Sequence, residues 1–251
     1  LIYLKQVNIH EEKFPVLDYY PFDLEIFQNT DKVQFDTPIT FFCGENGTGK
    51  STLLKAIAFR CGIHIWQDNS GMRHEHNPYE EDLCKTISVQ WAEGPVSGSF
   101  FGSQIFSHFS KILEEWAVND VQMLNYFGGK SLVTQSHGQS LMSYFQSRYS
   151  IKGIYFLDEP ETALSPSSLI GLLNLLIKMS HQGHAQFIIV THSPLLLACP
   201  GSRIYSFDTP IIEAIEYEDT EYYKIYKTFM NRRDEFIKSP ELSSQKPLNC
   251  A

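Results

Sequence analysis

Two short strings in this chain hold residues whose types and spacing suit phosphate chemistry. GENGTGKS (44–51) carries the spacing G-x-x-x-x-G-K-S. Gly44, Gly47 and Gly49 let a loop wrap closely around an anion. The backbone N–H groups of that loop, those of Glu45, Asn46 and Thr48 included, then meet the anion together with a helix N-terminus. Lys50 is placed to reach the β- and γ-phosphates of a nucleotide, and Ser51 to ligate Mg²⁺ through its hydroxyl, with Thr52 beside it. IYFLDE (154–159) supplies the second half. An apolar run drives a strand into a sheet and delivers Asp158 at its carboxyl end, where open α/β sheets bind ligands. Asp158 can hold Mg²⁺ through water, and Glu159 can orient and polarise an attacking water. Two adjacent carboxylates at a buried strand end are electrostatically expensive, and a bound cation offsets that cost. The plain alternatives are a glycine-rich turn with an exposed lysine and an acidic strand end facing solvent. Each motif makes the other's plain alternative harder to hold.

Three further places are open on residue type alone. His192 follows the apolar strand 187–191; it can hydrogen-bond a γ-phosphate, or be a satisfied histidine where Ser193 and Pro194 start a helix. In SHGQS (136–140), Ser136 and the backbone around Gly138 and Gln139 can bind phosphate at a helix N-terminus, or Ser136 or Ser140 can serve as an ordinary cap. Gln104 can contact Mg²⁺ or the lytic water, but by type it reads first as a surface residue on a helix. His74 and His76, near Glu75 and Glu80, lie in a polar, aperiodic stretch interrupted by Pro78, so a solvated loop is favoured over a metal site. Cys43, Cys61, Cys84 and Cys199 sit in or beside apolar stretches and read as packed thiols.

The elements that must position these residues follow from periodicity. Strands are expected at 2–9, 23–27, 32–35, 39–43, 85–91, 152–161, 185–193, 203–208 and 211–217. Helices are expected at 52–60, 101–127, 139–149, 169–179 and 220–237, with an exposed insertion at 67–82. Strands alternate with helices around a glycine-rich loop. That predicts an α/β fold with a largely parallel core sheet, an N-terminal antiparallel β part and an inserted helical subdomain. The expected divisions are 1–94 for the β part and phosphate-loop core, 95–150 for the helical subdomain, 151–238 for the second core part with a C-terminal helix, and 239–251 for a tail.

Composition narrows the class. The chain has 251 residues, 43% of them hydrophobic and 20% charged, which excludes disorder and allows a sizeable core. No apolar run approaches the roughly 20 residues that cross a bilayer, so no membrane insertion is expected. The five cysteines are scattered without a C-x-x-C, which fits a reducing cytoplasm. The chain opens at Leu1 without a methionine, leaving room for residues upstream, and shows no signal peptide. Its net charge of −9 disfavours coating nucleic acid by bulk charge but leaves a local basic groove open.

With these strings in place, the chain resembles the soluble, transporter-free ABC-type ATPases, and most closely small bacterial AAA/ABC-like ATPases related to the chromosome-maintenance and DNA-repair members. GENGTGKS resembles Walker A, LDEPE (157–161) the Walker B region, ETALSP (161–166) the D-loop and SHGQS a shortened signature. Gln104 falls near the Q-loop place, and His192 resembles the switch histidine. The likeness extends to YSFD…YEDTEYY (205–223). His137 stands where the common signature has Gly, Gln135 where it has Leu, and no coiled coil interrupts the chain.

The resemblance implies a P-loop NTPase fold of ABC type and a homodimer sandwiching two ATP molecules. Ser136, Gly138 and Gln139 would then act in trans on the other subunit's ATP. Glu159, Lys50, His192 and Gln104 would be the catalytic set, and Ser51, Asp158 and Gln104 the Mg²⁺ set. ATP would be hydrolysed to ADP and phosphate, switching a macromolecular partner in DNA maintenance or phage defence. Two other readings compete: the nucleotide-binding subunit of a membrane transporter, and an ATP-dependent interaction module that does not hydrolyse. The shortened signature and ALSP in the D-loop weigh against the first, and Glu159 against the second.

Overall fold

The structure is a computed structural model that describes residues 1–65, 77–102 and 137–237. Gln104, Ser136, His74, Glu75, His76 and most of the 101–127 helical pattern fall outside the described residues, as does the 239–251 tail.

The long apolar runs become strands buried on both faces. Ile39–Cys43 (β3) and Ala185–Val190 (β7) are buried at every position, and Gly153–Asp158 (β6) at every position but its last. Burial of this kind is what a central parallel sheet requires of its strands. They form a six-stranded sheet with Gly98–Gly102 (β5), Arg203–Ser206 (β8) and Glu213–Ile215 (β9), in the order β5-β6-β7-β3-β8-β9. All neighbours are parallel except β8 and β9. A second, antiparallel sheet of three strands has Leu4–Ile9 (β1) between Lys32–Gln34 (β2) and Ile87–Trp91 (β4).

Alternate side chains of the central strands feed two cores. Phe42, Phe156, Ile188 and Val190 pack with Leu53, Leu54 and Ile57 of the helix Lys50–Arg60, and with Leu4, Val7 and Val33 of the antiparallel sheet. Phe41, Tyr155, Leu157, Phe187 and Ile189 pack with Leu141 and Phe145 of the helix His137–Arg148, and with Leu172 and Leu176 of the helix Pro166–His181. The two sheets are tied by Gln186, a fully buried polar residue in an apolar strand. Its Oε1 accepts from the Tyr3 and Leu4 amides at 2.8 and 2.9 Å, and its Nε2 donates to the Leu4 carbonyl at 2.9 Å. With its hydrogen bonds met, the amide is tolerated in the core.

In chain order the helices are Glu25–Gln28 (α1), Lys50–Arg60 (α2), Leu83–Thr86 (α3), His137–Arg148 (α4), Pro166–His181 (α5), Pro194–Leu197 (α6), Glu221–Asn231 (α7) and Arg233–Phe236 (α8). Ser165 caps α5 by accepting from the Ser168 amide at 3.3 Å, with Pro166 at the first helical position. Thr220 caps α7 in the same way through the Tyr223 amide at 3.2 Å.

Two expectations are corrected. The strand expected at 23–27 is the short helix α1, closed by the Asn29 amide on the Glu25 carbonyl at 2.9 Å. Ile26 and Phe27 are both buried, so the segment buries consecutive residues as a strand between two layers would, and its apolar run carries no period. The helical pattern expected from residue 101 fails at its start: Phe101 lies in β5, paired with Leu157 of β6. Phe100 and Phe101 are buried into opposite cores, which is the alternation of a strand.

Candidate active site

The site is assembled at the carboxyl ends of β3, β7 and β6. Phe42 of β3 and Asp158 of β6 both pair with Val190 of β7, so the three strands end at one level. The Thr191 amide continues the ladder to the Phe42 carbonyl at 3.1 Å, and the Glu159 amide to the Val190 carbonyl at 3.0 Å. This register brings the 44–51 loop, the 158–159 carboxylates and His192 to one edge of the sheet.

The loop between β3 and α2 is held by its glycines. Gly49, the residue before α2, has φ of 95°, and a Cβ there would lie 2.7 Å from the Phe27 ring of α1. Gly44 has φ of 140°, and a Cβ would lie 2.9 Å from Asp208 Oδ1. Only glycine meets both demands without strain. No side chain caps the N-terminus of α2, so its first N–H groups remain for an anion.

Lys50 is buried, with 4% of its surface exposed. Its Nζ donates to the Glu45 carbonyl at 2.5 Å and to Thr48 Oγ1 at 3.4 Å. Burial lowers its pKa, and the nearby Asp208 and Glu159 carboxylates pull the other way. A buried ammonium folded against its own loop is poised for a stronger anion.

Ser51 Oγ donates to Asp158 Oδ1 at 2.7 Å. Burial raises the Asp158 pKa, and the Ser51 hydrogen bond acts against it. A hydroxyl and a desolvated carboxylate converge here as hard oxygen donors, which suits Mg²⁺ and no soft metal. Among the described residues no group of three or more His, Cys, Asp or Glu side chains could hold a metal ion by itself. A divalent ion at this site would therefore draw further ligands from phosphate and water, the habit of Mg²⁺.

Glu159 has φ of 47° and ψ of 57°, and it is the only non-glycine at positive φ among the described residues. Such strain persists where the surroundings over-determine it, commonly at functional sites. His192 Nε2 lies 3.4 Å from Glu159 Oε1, yet is buried without a hydrogen bond. The His192 amide donates to Glu161 Oε1 at 2.6 Å, while Glu161 Oε2 is buried without a partner. Burial raises the Glu161 pKa.

Of the residues singled out from sequence, 44–52, 158–159 and 192 are brought together. The backbone of Gly138 and Gln139 lies in the first turn of α4, whereas Ser136 and Gln104 lie outside the described residues. The packed-thiol reading holds for Cys43 and Cys199, which are buried, while Cys61 and Cys84 are half-buried; desolvation pushes Cys43 and Cys61 up to about 12 and Cys199 to about 11, and also raises Cys84. Glu80, the one member of the His74–Glu80 group that is described, lies in a turn.

Four residues escaped the sequence reading. Asp208 Oδ1 accepts from the Glu45 amide at 2.7 Å; its signal was an acid closing an apolar strand, the same pattern that marked Asp158. Glu161 stood in view inside LDEPE without a role. The Tyr20 hydroxyl, partly exposed, hydrogen-bonds Thr52 Oγ1 at the start of α2. Tyr222 bridges His192 and Gly44 from α7, and no local pattern announced it.

Comparison with known proteins covers both halves of the site. A model described as AAA domain matches residues 23–77, and one described as AAA domain, putative AbiEii toxin, Type IV TA system, matches residues 140–198. The first spans the phosphate loop, and the second Asp158, Glu159 and His192. The chain is 22% identical over 183 residues to the cytochrome c biogenesis ATP-binding export protein CcmA of Rickettsia bellii (strain RML369-C), spanning 70% of this chain and 88% of that protein. It is 26% identical over 171 residues to the xylose import ATP-binding protein XylG of Brucella abortus (strain 2308), spanning 57% of this chain and 31% of that protein.

Among solved structures it resembles cbiO1 from Clostridium perfringens, part of the ABC transporter complex cbiONQ. The TM-score is 0.51 at 16% identity, covering 94% of this chain and 98% of that one. It also resembles a nucleotide-free ATP-binding cassette from an ABC transporter, with a TM-score of 0.52 at 13% identity, covering 95% and 100%. The fold is thus the α/β P-loop NTPase fold of ABC ATPase type. By its fold and its matched segments the chain is similar to AAA/ABC-type ATPase domains. Among the described residues no helix is long and apolar enough to cross a membrane.

Proposed function

We propose that this chain binds ATP with Mg²⁺ and hydrolyses it to ADP and phosphate, using the energy to switch a macromolecular partner. The observation that carries this reading is the Ser51–Asp158 contact at 2.7 Å beside a buried Lys50. These groups have been desolvated around a place suited to a triphosphate and a hard cation.

The loop amides of residues 44–49 and the α2 N-terminus cradle the phosphates, and Lys50 places its charge on the β- and γ-phosphates. Thr52 contacts the phosphate nearest the nucleoside, and the Tyr20 hydroxyl, hydrogen-bonded to it, holds its side chain in place. Ser51 and Asp158 would hold Mg²⁺, with Gln104 as a further ligand; when bound, the ion would neutralise charge on the phosphate oxygens. Glu159 aligns the attacking water and takes its proton as the oxygen–phosphorus bond forms. His192, 3.4 Å from Glu159 Oε1, contacts the transferred phosphoryl group.

Ser136, Gly138 and Gln139 complete the site from a second copy of the chain, a role supported by motif order. Hydrolysis then opens the dimer. DNA is one candidate partner; with a net charge of −9, contact would need a basic cleft assembled by dimerisation. The test is steady-state ATP hydrolysis by the wild type and Glu159→Gln, with molecular mass measured in ATP. Turnover lost in the variant together with an ATP-dependent dimer supports the reading. A wild type without turnover leaves only an ATP-binding interaction module.

A second reading, an ATP-binding subunit of a transporter, is favoured by the names of CcmA and XylG. Affinity capture of the Glu159→Gln form from its host distinguishes the two: an integral permease among the captured proteins would select the transporter.

A further inference from the structure

Tyr222 and His192 share one well-defined proton. Tyr222, the second residue of α7, reaches back so that its hydroxyl donates to the Gly44 carbonyl at 2.8 Å. The same oxygen lies 2.5 Å from His192 Nδ1. A carbonyl only accepts, and a phenol has one proton to give. The Gly44 bond uses that proton, so the contact with His192 requires a proton on Nδ1, donated to the phenolic oxygen. Burial raises the Tyr222 pKa, with the Glu45 and Asp208 carboxylates adding to it, so the phenol keeps its proton.

The rest of His192 is fixed as well. Its amide is held by Glu161 Oε1 at 2.6 Å, and its ring meets the Tyr222 ring edge-on, with centroids 5.4 Å apart and planes at 82°. Nε2 is thereby turned to Glu159 Oε1, 3.4 Å away, with no other partner. Whether the imidazole is neutral or charged, the Nδ1 proton stays with Tyr222, and only Nε2 is left to face the site.

We propose that Tyr222 is a positioning residue of the hydrolytic centre, which fixes His192 in the Nδ1–H form with Nε2 presented beside Glu159 and ties that arrangement to the first glycine of the phosphate loop. This rests on reading the site as ATP-hydrolysing. One residue of α7 thus touches both the loop that grips phosphate and the histidine that faces the reacting group.

The test uses Tyr222→Phe, which keeps the ring and its edge-on contact but removes the hydroxyl. Long-range ¹H–¹⁵N spectra of the nucleotide-free protein, assigned with His192→Gln, read the ring nitrogens without any need for turnover. The wild type should show His192 protonated at Nδ1, and Tyr222→Phe should lose that signature. In steady-state kinetics the variant's kcat should fall at least tenfold with KM within about twofold, the scale of removing an outer-shell partner of a functional histidine. Its thermal midpoint should stay close to that of the wild type.

A wild-type His192 protonated only at Nε2 overturns the proposal. So does a Tyr222→Phe protein with wild-type kcat, or one whose loss of kcat is matched by loss of folded protein. Should the variant not fold, the wild-type spectrum decides alone. Should the wild type not hydrolyse ATP, the proposed function fails on the assay, while the spectrum still tests the positioning separately.

Discussion

The Ser51 hydroxyl donates to Asp158 Oδ1 across 107 positions of sequence, joining the first turn of α2 to the end of β6 at 2.7 Å. The contact follows from register. β3 and β6 both flank β7, and Phe42, the penultimate residue of β3, and Asp158, the last of β6, both pair with Val190. The residue after the loop lysine and the acid at the strand end are therefore delivered to one place by the sheet. Neither element has another reason to bury a carboxylate there, since burial raises the Asp158 pKa and so costs stability at neutral pH.

That cost gives Asp158→Asn two opposite effects. Without nucleotide, its thermal midpoint should equal or exceed the wild type's, because a buried charge is removed. With Mg²⁺ and ATP at 100 times Kd, the wild type should gain about 2.7 kcal/mol, roughly 5–10 °C for a domain of this size. Asp158→Asn should lose most of that gain. Differential scanning fluorimetry with and without Mg²⁺ measures both; an unaltered gain would remove Asp158 from the ion site.

Glu159→Gln should lower turnover by 100-fold or more, the usual contribution of a positioned general base, while ATP binding is retained. Glu159→Gly should also abolish turnover, yet raise the stability of the nucleotide-free protein by about 1 kcal/mol by relieving the left-handed backbone. Urea denaturation of the two variants checks the difference. Equal stabilities would mean that φ of 47° at this position stores no strain.

Much of this site was legible because chemistry and burial left separate marks on the chain. ITFFC, GIYFLD and AQFIIV are apolar without a period, as strands buried on both faces must be, and each runs straight into its polar residues. Local pattern failed where no period existed or where it changed mid-segment. In DLEIF, Ile26 and Phe27 are buried side by side, which neither helix nor strand spacing distinguishes. Phe101 lies near the end of a strand at the point where helical spacing begins. Tyr222 was out of reach for another reason: its partner Gly44 lies 178 positions away, and only the fold returns the start of α7 to the phosphate loop. Asp208 depends likewise on the pairing of β8 with β3.

Gly49→Ala should destabilise the protein by about 1–3 kcal/mol, since the added methyl meets both a left-handed backbone and the Phe27 ring. Thermal denaturation without nucleotide is sufficient. Gly47→Ala, where a Cβ meets nothing within 4 Å, should cost only the backbone part. If the two variants melt together, α1 does not press on the loop.

Glu161 sets a pH dependence of known sign. Burial raises its folded pKa above the unfolded value of about 4.3. The folded state thus holds a proton over the interval between the two values. Its contribution to stability is fully present below the unfolded pKa and is lost as pH rises through the folded one. The stability of the wild type relative to Glu161→Gln should therefore increase on going from about pH 7.5 to about pH 5. Urea midpoints of both proteins at the two pH values give the comparison; a wild-type stability that stays constant or falls relative to Glu161→Gln on going to pH 5 would contradict the raised pKa.

In the proposed function the loop around Lys50 grips a triphosphate whose magnesium is served by Ser51 and Asp158. Isothermal titration of ATP into the wild type and Lys50→Ala, each with Mg²⁺ and with EDTA, tests it most directly. The wild type should bind saturably and at least tenfold more weakly without Mg²⁺, about 1.4 kcal/mol, and Lys50→Ala should show no measurable binding. Folded wild-type protein that takes up no ATP, or Lys50→Ala that binds ATP as the wild type does, would contradict it.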